Sequence, residues 1–239
     1  MRAELLKLIT ARSSWLLLAI AQIVVAAGVS GLMLRRDDRA GDAGQRDALA
    51  HIGLIALFGL LLGILTIAGE YRHRTITDTF LARPRRGRVV RDKLIVSAAA
   101  GAVLGSTAAV TALITDAIWL AAKGSGIDLT SAVLWRTVAG GIAWNIAFAA
   151  LGVGVGALIT NLGAAIAAAL GWIALVEGVV AELLGDAARW LPISLGQALA
   201  GLPDTADRPA PWLAALVLAL YVAALAGAGM VATTRRDVT

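Results

Sequence analysis

Six long apolar runs separated by short polar intervals organise this chain. The runs lie near 15–34, 50–69, 94–120, 137–160, 163–184 and 212–233, and each reaches the roughly 17 to 25 apolar residues that a helix needs to cross a bilayer. The longest polar intervals, 35–49, 70–93 and 185–211, are too short to form an independent soluble domain. The pattern predicts an all-α membrane protein with six transmembrane helices, forming one domain over residues 1–239.

The shorter features refine that layout. From 137 to 184 the apolar character runs for 48 residues, about 72 Å as one helix and more than twice the hydrocarbon core. It must therefore be a hairpin, and Thr160, Asn161 and Gly163 are its turn. Met1, Leu5, Leu8 and Ile9 recur at helical spacing, with Arg2, Glu4 and Lys7 elsewhere on the wheel. Residues 1–13 thus read as an amphipathic interfacial helix, or alternatively as the frayed start of the first span. A cleaved signal peptide is disfavoured, because the apolar run exceeds an h-region of about 7 to 15 residues and five further spans come after it. Residues 185–211 hold Trp190 and four prolines, which suits an extracytoplasmic hairpin that dips back toward the membrane before the sixth span.

Composition agrees with the pattern, at 59% hydrophobic residues with no cysteine and a mean hydropathy of +0.81. Without cysteine there is no disulfide framework and no thiolate metal site. Charge adds topology. The block 69–93, GEYRHRTITDTFLARPRRGRVVRDK, carries eight of the 21 Lys and Arg residues. Such loops are retained in the cytoplasm, which predicts cytoplasmic N and C termini. Clustered Arg is also a footprint of nucleic-acid binding. Here the arginines flank spans, and anionic membrane lipids account for them, so no nucleic-acid partner is expected.

Polar groups within the spans are few and each needs a partner or water. Asp116 and Glu182 are expected at an interface, whereas Gln22, Asn145 and Glu177 are candidates for lining a pathway. Gly59 with Gly63, Gly101 with Gly105, and Gly152 with Gly156 permit close helix approach, within one bundle or across a dimer. The chain has no phosphate-binding loop, zinc-protease motif or nucleophile elbow. It is expected not to be an enzyme, and no metal or other cofactor is expected in it.

Gly69, Glu70, Tyr71, Arg72, Thr75, Pro84, Arg86 and Lys93 resemble the signature found after the second span in ABC-2 type (type-2 ATP-binding-cassette) transporter permease subunits. The six-span layout, the amphipathic N-terminal segment, the hairpin before the sixth span and the short basic tail extend that resemblance over essentially the whole chain. It implies that 70–93 is a cytoplasmic coupling segment whose helix sits in a groove of a separate ABC ATPase, present as a dimer with ATP and magnesium bound there. It also implies a second permease copy or paralogue. The coupling residues would be Glu70, Tyr71, Arg72, Thr75, Ile76, Thr79, Phe80, Arg83, Pro84 and Arg86. Among them Arg72, Ile76, Thr79, Phe80 and Arg83 share one side of a helix, an apolar pair flanked by cations and suited to docking on a protein; Pro84 ends that helix. The expectation from the resemblance is an exporter permease of a bacterial, actinobacterial cytoplasmic membrane, and the Ala, Gly, Arg and Val richness suggests a GC-rich bacterial genome. It would move a hydrophobic or amphipathic drug-like or lipid-like cargo, as in multidrug efflux. A non-transporting membrane adaptor and an ion-coupled secondary transporter using Glu177 or Asp116 are the alternatives.

Overall fold

The computed structural model describes residues 1–35, 42–82, 85–202 and 208–235. Among these residues there are helices and turns but no strand, and six helical stretches are long and apolar enough to cross a membrane. The chain is a multi-pass membrane protein. The spans are Arg12–Arg35, Gly44–Arg72, Arg86–Ala122, Ala132–Leu158, Leu162–Trp190 and Pro211–Arg235.

Helix α1 (Arg2–Thr10) precedes the first span, α2 (Arg12–Arg35). The two are separated at Ala11, whose backbone is extended (φ −73°, ψ 120°), and the Trp15 indole braces the corner by donating to the Ile9 carbonyl at 2.6 Å. The apolar side chains Leu5, Leu6 and Ile9 point outward while Glu4 is buried.

The second span is interrupted. It comprises α3 (Asp42–Leu49), α4 (His51–Leu54) and α5 (Ala56–Arg72), with the Asn145 side-chain amide donating to the Ile52 carbonyl at 2.8 Å beside the break. That bond supplies a partner where the regular i→i−4 ladder lapses.

The core of the bundle is α8 (Ala132–Leu158), packed against α5, α7 (Arg86–Ala122) and α12 (Pro211–Arg235). Glycine makes this packing close. A Cβ on Gly152 would lie 2.0 Å from the Leu60 carbonyl oxygen, and one on Gly63 would lie 2.1 Å from that of Ala149. Likewise Gly101 and Gly105 of α7 sit against the backbone of α8 at Asn145 and Ile142. The four-residue glycine spacings therefore serve packing inside one chain. On the other side of α7, α2 buries Ala21, Val25, Val29 and Met33 at four-residue intervals as the one stripe that faces its neighbours.

The hairpin between the fourth and fifth spans turns where the sequence predicts. Asn161 caps α9 (Leu162–Gly171), its side chain accepting from the Ala164 N–H at 2.9 Å. The fifth span continues as a π-wound segment, Trp172–Val180, then α10 (Ala181–Leu184) and a 3₁₀ turn, Gly185–Trp190. After it α11 (Pro192–Leu199) returns onto the bundle. The Trp144 ring lies between Gly53 and Gly196, either of which would clash with it if it carried a Cβ. Residues 203–207 of this hairpin lie outside the described residues.

Candidate functional site

Beyond the end of α5 the chain makes a turn and enters a short helix. The Arg74 N–H donates to the Tyr71 carbonyl and the Thr75 N–H to that of Glu70, with Arg74 at φ 58°. This is a Schellman-type helix end carrying Arg where Gly is usual. It reverses the chain so that α6 (Ile76–Ala82) lies beside the last turn of α5, and Thr79 of α6 donates to Glu70 Oε2 at 3.0 Å.

Glu70 is the centre of a largely buried charge cluster that joins four helices. Its Oε1 accepts from Lys93 Nζ of α7 and from Lys7 Nζ of α1, both at 2.7 Å. Lys93, only 2% exposed, also donates to Glu4 Oε2 at 2.5 Å and to the Thr66 carbonyl at 2.7 Å. Lys7 completes the ring through Glu4 Oε1 at 3.2 Å and Thr79 Oγ1 at 3.1 Å. All three ammonium protons of each lysine thus have an acceptor. Two carboxylates and two ammonium groups balance: Glu4, Glu70 and Lys93 are buried, where an unpaired charge would cost several kcal/mol, while the Lys7 side chain is 47% exposed.

The two groups of this cluster on α1 respond in opposite ways. Burial pushes the Glu4 carboxyl up, but the charge and hydrogen bond of Lys93, with help from Lys7, hold it net below the ordinary value of 4.5. Burial pushes Lys7 down, but Glu70 and then Glu4 raise it net above 10.5. A cavity of about 290 Å³ lined by Glu4, Lys7, Thr66, Glu70 and Lys93 lies against the cluster.

The residues expected to couple to a partner divide in two. Ile76 and Phe80 are buried, packing with Val89 and Tyr71, so the apolar pair whose spacing suits a docking face instead holds α6 to its own chain. That packing has a simple cause: a seven-residue helix is too short to be stable alone and needs its apolar face for anchoring. Arg72 and Thr75 are exposed together with Thr77, Asp78 and Leu81, the last at 77%. Arg86 stacks 5.0 Å over the Phe80 ring and donates to the Thr233 carbonyl near the end of α12 at 3.1 Å. Arg83 and Pro84 lie outside the described residues.

Of the residues expected along a pathway, Gln22 donates to Thr107 at 3.1 Å and accepts from Thr111 at 2.8 Å, tying α2 to α7. Asn145 is fully buried at the break of the second span. Glu177 lines a cavity of about 400 Å³. Asp116 is fully buried within α7, six residues before that helix ends at Ala122, and α2, α3 and α8 pack against the same helix. Glu182 is exposed.

Sequence reasoning misses Glu4, Lys7 and Lys93 as a set. By hydropathy Lys93 is the last charge before a span, although α7 begins seven residues ahead of it. Two carboxylates, Glu4 and Glu70, within strongly basic segments are the available signal. The chain matches no protein-family model and no curated protein.

Proposed function

We propose that this chain is the membrane-spanning subunit of an ATP-driven exporter, a permease of the ABC-2 type that moves a hydrophobic or amphipathic cargo out of a bacterial cell. In this reading a separate ATPase dimer docks on the side carrying α6, with both termini of the chain cytoplasmic, and a second permease copy or paralogue completes the pathway. The observation that carries the reading is the link from Thr79 of α6 to Glu70, and from Glu70 to Lys93 and Lys7. A helix outside the bundle that is joined in this way to the ends of the second and third spans can pass a displacement into both. The outward apolar side chains of α1 suit a helix lying in the membrane interface.

Two states of a bound ATPase that contact α6 differently would bias the bundle between two arrangements. The contact surface is the exposed edge of Arg72, Thr75, Thr77, Asp78 and Leu81. Replacing Leu81 with Asp and Asp78 with Arg should abolish co-purification of an ATPase from native membranes while leaving thermal stability unchanged. A wild-type chain that purifies from those membranes without any ATPase would sink the reading.

A further inference from the structure

A cavity of about 400 Å³ lies between the fifth span, α8 and α12, lined by Leu151, Trp172, Ile173, Tyr221 and Leu225 among others. That volume is within the range of small-molecule sites. Glu177 is the only charged side chain among the lining residues. It sits in the nine-residue π-wound segment, a geometry that recurs at functional sites and whose i→i+5 bonding brings residues five apart together. Trp172, five residues earlier, accordingly has its indole close to the Glu177 carboxylate. Glu177 Oε2 accepts from the Ile193 N–H of α11 at 2.5 Å, and no Lys, Arg or His among the described residues pairs with it.

We propose that this cavity binds a monovalent cationic amphiphile, its apolar body against the leucine and aromatic wall and its cationic centre against Glu177. A carboxylate accepts several hydrogen bonds, and the Ile193 N–H with the Trp172 indole close by leaves part of that capacity open. In an apolar wall an uncompensated charge is costly, so a ligand that brings the opposite charge gains from neutralising it. Trp172 and Tyr221 add aromatic faces that attract the same cation. An anion is repelled, and a neutral lipid tail fills the space without engaging Glu177. The inference deepens the exporter reading by naming its cargo class, and it rests on that reading only for the transport of the bound cation, not for its binding.

The test is equilibrium dialysis of the full chain in an uncharged detergent, with two probes of nearly the same shape, methyltriphenylphosphonium and uncharged triphenylphosphine oxide. The cation should bind about tenfold or more tightly than the oxide, the range of a charge-assisted contact. Glu177→Gln should remove that preference and leave oxide binding unchanged, which also reports that the cavity is intact. Glu177→Asp keeps the charge and should keep a cation preference. Ala168→Trp, which fills the cavity, should weaken both probes. Equal affinity of the wild type for cation and oxide would mark a groove for lipid tails and overturn the proposal, as would full cation affinity in Glu177→Gln or its loss in Glu177→Asp with oxide binding intact. No ATPase enters this experiment, so it can fail while ATPase co-purification succeeds, or the reverse.

Discussion

The Lys93 ammonium meets the Glu70 carboxylate at 2.7 Å with the two side chains 2% and 10% exposed, an ion pair held inside the bundle rather than on its surface. Removing one member leaves the remainder charged and buried. Lys93→Met should therefore destabilise the chain by about 3 to 5 kcal/mol. The double substitution Lys93→Met with Glu70→Gln keeps the cluster neutral and leaves Lys7 with Glu4, so it should cost less than the sum of the single changes. Unfolding in increasing sodium dodecyl sulfate measures this, and additive costs would show that the charges do not act together.

Acid and base should release α1 at opposite ends of the pH scale. Glu4 is held below 4.5 when folded, so its contribution is complete above that value and is lost as pH falls through the folded value. Lys7 is held above 10.5, so its contribution is complete below that value and is lost as pH rises through the folded value. Between the two, α1 should stay in place. Because the chain has no cysteine, spin labels at Leu6→Cys and Thr77→Cys report one distance, which should be constant from about pH 5 to about pH 9 and lengthen below about 4.5. A steady drift across the neutral range would assign the docking of α1 to other groups.

Arg74 adopts φ 58° at the turn between α5 and α6, a conformation that costs a side-chain-bearing residue about 1 to 2 kcal/mol. Arg74→Gly relieves that cost while loosening the unfolded chain, and the net gain should be about 0.5 to 1 kcal/mol. A rise in thermal midpoint checks it; a fall would mean that the Arg74 side chain contributes more than its backbone conformation loses.

Two glycine-to-alanine changes should have opposite signs. Gly152→Ala places a methyl 2.0 Å from the Leu60 carbonyl oxygen and should destabilise by about 1 to 3 kcal/mol by forcing α5 and α8 apart. Gly31→Ala in α2 meets nothing within 4 Å and should stabilise by about 0.5 to 1 kcal/mol. The same detergent titration compares them.

The spans are legible in the sequence because crossing a bilayer requires a length of apolar residues and no knowledge of neighbours. The Asn161 turn is legible for the same local reason. Ile76 and Phe80 are not: four-residue spacing defines a face of α6 but not whether that face meets its own chain or another. Lys93 is hidden by a boundary, since the apolar run begins after it while the helix begins at Arg86. The Asn145 contact with the break in the second span cannot be read at all, as it joins residues 93 positions apart.

Helix α7 spans 37 residues, about 55 Å, and its glycines Gly101 and Gly105 rest on α8 near its middle. That contact divides α7 into two nearly equal arms, about 22 Å back to Arg86 and about 26 Å on to Ala122. A rigid rod resting on such a fulcrum moves its ends in opposite directions, so a tilt of about 5° carries each end roughly 2 Å. A push on the arm that holds Lys93 would then carry the far arm that holds Asp116, and with it Ala108, Ala112 and Leu120, which pack in one core cluster with residues of α2, α3 and α8.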